Sequence, residues 1–319
     1  MYVSQEIIIV SMLVVLFLSL LSGYPVAFTI SGVSLLFALI GSAFEIFDLS
    51  FVSALPNRIY GIMTNDLLIS VPLFVFMGVM LQKSKIAEEL LQSMGILMQN
   101  VRSGLTVSVT IVGALLAAST GIVGATVITM GLLSLPTMLK DGYSPTLATG
   151  TICAAGTLGQ IIPPSIVLIL LSDQISASYQ QAQLALGNFS PEAVSVTDLF
   201  MGALIPGLVL VFLYVLWQII NSYINPGSIP IKQKKNIEKE AFKVYRSVLK
   251  ALLPPLILII SVLGSILGGL ATPTESAGVG ALGAIILAFI KKQLSFNIFK
   301  QVVESTAKTT SMVFIILVG

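Results

Sequence analysis

Ser119-Thr120-Gly121-Ile122-Val123-Gly124-Ala125-Thr126 interrupts a chain that is apolar on both sides of it, and the reading of this stretch decides the fold. Two glycines permit left-handed backbone angles, and three hydroxyls can replace hydrogen bonds that a helix loses where it breaks. Residues 105 to 118 before it and 127 to 139 after it each supply about 13 or 14 residues, roughly 20 Å of helix against a bilayer core of about 30 Å. Neither half is long enough to span, so residues 104–140 read as a re-entrant hairpin with its tip at 119–126. The alternative is an ordinary helix whose small residues, such as Gly113 and Ala117, pack on a neighbour.

A second interruption follows at Gly156-Thr157-Leu158-Gly159-Gln160-Ile161-Ile162-Pro163-Pro164-Ser165. Residues 144 to 162 read as a helix, and the chain continues apolar from Ile166 to Leu171. Proline has no N–H, so the carbonyls four residues earlier, on Gly159 and Gln160, lose their helical partners. In lipid such carbonyls need a ligand or a wet cavity. Broken helices near the bilayer midplane, with freed carbonyls facing a cation and helix N-termini facing an anion, are a recurrent site design of secondary transporters. A plain proline kink is the alternative. Neither interruption contains Asp, Glu, Lys or His. Neutral carbonyl and hydroxyl oxygens are hard ligands, so sodium is the expected coupling ion over a proton, with no other cofactor. Glu275, in Ala271-Thr272-Pro273-Thr274-Glu275, reads as the cap of a following helix and not as a proton relay.

The surroundings agree with a membrane setting. The 319 residues are 56% hydrophobic and 9% charged, with a mean hydropathy of +1.01. Apolar stretches recur at 7–22, 24–44, 67–82, 144–172, 198–222, 251–268, 274–290 and from 309 onward. Glu6 stands where a secretory signal would carry a basic residue, so the first stretch is expected to be a retained helix. There is no histidine and one cysteine, Cys153, which removes disulfides, thiolate zinc and bis-histidine haem from consideration and leaves Cys153 as an expected packing residue. The net charge of +2, carried in short loops, points to no nucleic-acid partner.

Those loops set the expected orientation. With the N-terminus outside and residues 104–140 entering and leaving on one face, 15 of the 16 basic residues are cytoplasmic and only Arg58 is outside. If the segment crossed once, the split would fall to 13 against 3. Residues 82–101 and 293–308 read as amphipathic helices at the cytoplasmic interface. Gly23-Tyr24-Pro25 followed by the run at 72–78, and Pro273 followed by the run at 312–319, resemble two copies whose connectors carry opposite charge, as an inverted repeat requires. The expected organisation is scaffold helices and an interfacial helix over 1–103, the hairpin over 104–140, a broken helix and a following transmembrane helix over 141–222, a basic cytoplasmic linker over 223–250, and the start of a second inverted repeat over 251–319. That second copy stops at Gly319 within an apolar run, so the chain is expected to be a fragment or a truncation that does not transport alone. The fold class is an all-α polytopic membrane protein, an inverted-repeat elevator-type transporter with a re-entrant hairpin and broken helices.

Residues 119–126, Leu135-Pro136-Thr137-Met138 with Gly142-Tyr143, the Gly156 to Ser165 segment, Ala271 to Glu275 and Thr310-Ser311-Met312-Val313-Phe314 together resemble the large, DctM-like membrane subunit of tripartite ATP-independent periplasmic (TRAP) transporters. The resemblance runs over essentially the whole chain. It implies a sodium-driven elevator in the bacterial inner membrane, a small membrane subunit as partner, and a periplasmic binding protein that delivers an organic acid, for instance a C4-dicarboxylate. By the same resemblance Ser119, Gly121, Gly124, Thr126, Thr157, Gly159 and Gln160 supply a first sodium site. Thr120, Gly121, Thr126, Pro163, Pro164 and Ser165 likewise contact substrate, and a second sodium site lies beyond the residues present. The competing reading is an ion-coupled anion symporter of similar hairpin architecture that needs no binding protein. A channel would carry more polar residues along its spans. An enzyme is not expected, because no intramembrane acid-base pair can be named.

Overall fold

The computed structural model describes residues 2–98, 100–190, 193–230 and 241–319, and within them the chain is helices and turns with no strand. Among the described residues six helical segments are long and apolar enough to cross a membrane: Val26–Ala43, Asp66–Lys83, Val123–Lys140, Val196–Ile224, Val248–Leu267 and Pro273–Ile290. The chain is an all-α polytopic membrane protein that divides into two units.

The smaller unit comprises residues up to 66 and from 307 to 319. Helices α1 (Tyr2–Leu21) and α2 (Val26–Ala43) pack on each other, joined through Gly23 at φ 85°. The connector after α2 carries a 3-10 turn over Leu49–Ala54, capped by Asp48 accepting from Ser50 N at 2.8 Å, and a short helix α3 (Leu55–Met63). Sequence reading left that connector without structure, because nine residues are too few to show a periodic stripe.

The larger unit, residues 67–306, is organised around two buried helices. One is α4 (Ser70–Lys83), whose Val71, Phe74, Val75, Met77 and Met80 are all 2% exposed or less. The other is α6 (Gly104–Thr120), apolar around its whole circumference and buried at every position except Ile111 and Leu115. A helix hydrophobic on all sides has to be enclosed by others. Helix α6 is enclosed by α4, α5 (Ile86–Leu97), α7 (Val123–Lys140), α8 (Pro145–Thr157) and α10 (Val196–Ile224). Helix α5 turns Ile86, Leu90, Leu91 and Met94 inward, so the amphipathic stripe read at 82–101 is spent on α6 and α11 (Ala241–Leu267).

Small residues let the remaining helices close on these. Helix α12 (Pro273–Ile290) buries Ala277, Gly280, Ala281, Ala284 and Ala288, a small-residue face that admits α4 at short range. A methyl group on Gly280 would lie 2.7 Å from Met77 Sδ. The start of α12 is capped as expected: Glu275 N donates to Thr272 Oγ1, while the Glu275 carboxylate accepts Thr272 N at 2.8 Å. The turn after α12 is tied to α5 by Lys291 and Glu89 at 2.5 Å. Both side chains are partly exposed, so this pair contributes about 1 kcal/mol at most.

Four expectations change. The hairpin tip is not eight residues but two, Gly121 and Ile122, because Ser119 and Thr120 stay in α6 and Val123 to Thr126 begin α7. The halves are therefore 17 and 18 residues long, and the argument that each is too short to span loses its force. Of the basic linker expected at 223–250, residues 231–240 lie outside the described residues, and residues 241–250 are the opening turns of α11. Likewise 293–308 is not a separate interfacial piece but runs into α13 (Phe296–Val318). Cys153 is exposed on α8, not packed.

Candidate functional site

Helix direction follows from which small residues face each other. Gly113 abuts Ala155 and Gly159 abuts Ala117, so α6 and α8 advance side by side in the same sense. Gly156 abuts Val127, while Lys140 leads through a four-residue turn into Pro145, so α7 and α8 run oppositely. Helices α6 and α7 are thus antiparallel, a true hairpin, and the end of α8 arrives beside its tip.

The tip forms because Gly121 adopts φ +61°, a left-handed angle that ends α6 and that a β-carbon would strain. Helix α7 then begins at Val123, preceded by Ile122, an extended residue that supplies no side-chain cap. Inside the tip, Thr120 Oγ1 and Thr126 Oγ1 share a hydrogen bond of 2.6 Å. Thr126 Oγ1 also donates to Ile122 O at 2.9 Å, and Ser119 Oγ donates to Leu116 O at 2.8 Å. Ser119, Thr120 and Thr126 are each 4% exposed or less.

Against this tip lies the broken helix. Helix α8 ends at Thr157, passes through one 3-10 turn, Leu158–Gln160, and meets Pro163 and Pro164, whose shared peptide is cis. Helix α9 (Ile166–Ala185) restarts from Ser165, whose hydroxyl accepts Leu168 N at 3.4 Å as an N-cap. The same hydroxyl donates to Gln160 O at 2.8 Å. One of the two carbonyls that the prolines leave without a helical donor is therefore satisfied by Ser165. The other, on Gly159, sits on a residue pressed against Ala117, where a methyl group would lie 2.8 Å from the Ala117 carbonyl oxygen.

Gln160 joins the two elements. Its Nε2 donates to Gly121 O at 3.0 Å, across 39 residues of chain. Its Oε1 is buried and has no hydrogen-bond partner. Such an oxygen is costly in a low-dielectric interior unless something electropositive sits against it. The hydroxyls of Ser119, Thr120 and Thr126 and the carbonyl of Gly121 retain lone pairs besides the bonds they make. The donor set is neutral oxygen throughout, which suits a hard cation of low charge.

Hydrogen bonds join Thr120, Gly121 and Thr126 at the tip to Gln160 and, through it, to Ser165, with Ser119, Gly159, Pro163 and Pro164 close to them along the chain. The structure does not bring in Gly124 or Thr157. Gly124 is exposed on the first turn of α7, with no atom within 4 Å of where a methyl group would stand. Thr157 is exposed on the far side of α8, its hydroxyl spent on Ala154 O at 2.8 Å. Two participants were not anticipated. Gly78 of α4 lies against the backbone of Ser119 and Thr120, and Ile166 N sits beside Gly121, 3.4 Å from where its β-carbon would be. Neither has a sequence signal, since a helical glycine and an apolar helix start occur throughout this chain.

A family model described as "Tripartite ATP-independent periplasmic transporter, DctM component" matches residues 13–319. The chain belongs to the DctM family. Among its DctM-type relatives, the C4-dicarboxylate TRAP transporter large permease protein of Vibrio cholerae is 30% identical over 83% of this chain and 52% of its own length. A TRAP transporter large permease protein of Haemophilus influenzae is 30% identical over 85% of this chain and 61% of its own. The ectoine TRAP transporter large permease protein of Halomonas elongata is 28% identical over 78% of this chain and 53% of its own. The chain thus spans a little over half the length of these DctM relatives.

Proposed function

We propose that this chain forms the permease part of a TRAP transporter of the bacterial inner membrane. It admits a small organic acid handed over by a periplasmic binding protein, works with a small membrane subunit, and is driven by sodium. The observation that carries the sodium reading is the Gln160 amide. It bridges the hairpin tip to the broken helix through Nε2, and it carries a buried, unpartnered Oε1, with no titratable side chain at either break. A cation held there draws the tip and the end of α8 together. The uncapped N-terminus of α7 and the start of α9 beside Gly121 supply partial positive charge toward an acid group.

The names of the relatives support a small acid as cargo and leave its identity wide, since they include C4-dicarboxylate, ectoine and isethionate. We infer an N-terminus on the outside, on the strength of the excess of basic residues in the loops of the opposite face. Family membership favours the tripartite system over a symporter that needs no binding protein. The test is uptake by the assembled complex in proteoliposomes, with the substrate-loaded binding protein outside. Uptake is expected only with an inward sodium gradient. Equal uptake on a proton gradient without sodium refutes the coupling, and uptake that does not need the binding protein refutes the tripartite reading.

A further inference from the structure

Helix α11 has two distinct faces. Val248, Ala251, Leu258, Val262 and Ile266 are buried, and that face is spent on α5 and α12. Arg246, Leu249, Lys250, Leu253, Ile257 and Ile260 are exposed on the other. Positions 243, 246, 250, 253, 257 and 260 recur at alternating spacings of three and four, so they form one stripe along the helix.

The stripe changes chemistry at a definite level. Its apolar part lies within Val248–Leu267, whose 20 residues make about 30 Å of helix and match the hydrocarbon core of a bilayer. Positions 243 and 246 precede that span and stand roughly 3–8 Å beyond its edge, in the headgroup layer. Lys250 is in the first turn of the span, and its long stem can carry the ammonium to the same layer. This end is strongly positive, because residues 231–250 hold seven basic residues against Glu238 and Glu240, a net charge of +5. The ion pairs among the described residues join Lys291 to Glu89 and Lys300 to Glu304, so Arg246 and Lys250 have no acidic partner there. Basic residues held at a membrane surface attract anionic headgroups.

Below the charges, the stripe suits acyl chains and not another helix. Helices associate within a membrane through small residues that let their backbones approach. This protein does so where Gly280 of α12 meets Met77 and where Gly283 of α12 meets Leu258. From Leu249 to Ile260 the exposed face of α11 has no glycine, alanine or serine, and Leu253, Ile257 and Ile260 are each about half exposed.

We propose that this stripe binds one anionic phospholipid, with its phosphate held by Arg246 and Lys250 and one acyl chain lying along Leu253, Ile257 and Ile260. The Arg246 guanidinium can engage two phosphate oxygens at once, and the Lys250 ammonium adds a point charge. A headgroup whose phosphate is offset by its own ammonium gains less from either, so the chemistry selected is a phosphodiester with no cation of its own. The seat is separate from the sodium site and does not depend on the cargo.

The chain is purified in mild detergent and titrated with phosphatidylglycerol and, separately, with phosphatidylethanolamine of the same acyl chains, and bound lipid is counted by native mass spectrometry. The wild-type chain is expected to bind one phosphatidylglycerol at least tenfold more tightly than phosphatidylethanolamine. Arg246→Gln combined with Lys250→Gln, both at exposed positions, is expected to weaken phosphatidylglycerol binding about fivefold for each charge removed, roughly 25-fold for both. Lys300→Gln on α13 is the control and leaves it unchanged. Equal affinity for the two lipids, or an equal loss in Lys300→Gln, overturns the proposal, since the charge then serves only to orient the chain. Displacement of phosphatidylglycerol by an equal concentration of inorganic phosphate overturns it as well, because the residues then read a free anion. A photocrosslinker at Leu253 in the assembled complex is expected to capture lipid. Capture of the small membrane subunit there assigns the face to a protein and overturns the proposal.

Discussion

Replacing Gly78 with alanine tests the packing of the hairpin tip most directly. The added methyl group would lie 2.5 Å from Ser119 O and against Thr120 Cα, both backbone atoms that no rotamer change can move aside. Ordinary contact begins at 3.4 Å, and Thr120 Cα is nearer still than Ser119 O, so α4 and the tip must part by about 1 Å. Overpacking of this kind costs about 1–3 kcal/mol. The tip cannot shift without lengthening the 3.0 Å bond from Gln160 to Gly121, so the cost falls on the site as well as on stability. At about 1.4 kcal/mol per factor of ten, the sodium concentration for half-saturation is expected to rise by roughly five- to tenfold. The matched control is Gly131→Ala, where the methyl group meets nothing within 4 Å and removes a helical glycine at little or no cost. Both variants are compared by thermal unfolding in one detergent and by sodium titration of substrate uptake in the assembled complex. If Gly78→Ala unfolds and titrates like Gly131→Ala, the tip is not seated on α4 and the account of the site is wrong.

Gln160→Leu removes the bond to Gly121 and the unpartnered oxygen together, and is expected to cost about 1 kcal/mol in stability and to raise the sodium requirement about tenfold or more. Thr157→Ala, facing away from the site, is expected to leave the sodium requirement unchanged; an effect comparable to that of Gln160→Leu would return Thr157 to the ligand set. Glu275→Ala removes half of the capping box on α12 and is expected to lower stability by about 0.5–2 kcal/mol, read by thermal unfolding, with no change in ion coupling. Single cysteines at Arg102 and Lys140, in a background lacking Cys153, are both expected to react with an impermeant reagent only from the cytoplasmic side. Labelling of either from outside would mean that residues 104–140 cross the membrane.

Much of this was legible because the chain writes its breaks in residues with fixed consequences. Pro163 and Pro164 cannot donate, Gly121 takes a left-handed angle, and Thr272 with Glu275 caps a helix by its own geometry. The limits of legibility are equally local. Ser119, Thr120 and Thr126 read as loop because hydroxyls can serve broken backbone, yet all three are helical: Ser119 and Thr126 bond back to a carbonyl three or four residues earlier, and Thr120 bonds to Thr126. That misjudgement stretched the tip from two residues to eight and shortened both helices. The resemblance places Thr157 and Gly124 in the site along with their neighbours, whereas helical rotation leaves both exposed and without contact to it. Gln160 was counted for its carbonyl, whereas the structure engages that carbonyl with Ser165 and puts the amide to use. Which of two polar groups on one residue stays open depends on long-range packing, and no local pattern records it.

Met77 and Gly78 are consecutive, yet one touches Gly280 of α12 and the other touches Ser119 and Thr120 at the hairpin tip. Neither contact has slack, since both are made through glycine. Those two positions of α4 therefore act as a common bearing between α12, late in the chain, and the hairpin tip, which comes some 150 residues before it. A wear mark on one side of a bearing shows on the other. In a population of drifting sequences, bulk gained at position 280 is tolerated only where volume is given up at 77, or where α4 tilts and the tip is reset to match, so the two halves of this chain are bound to change together.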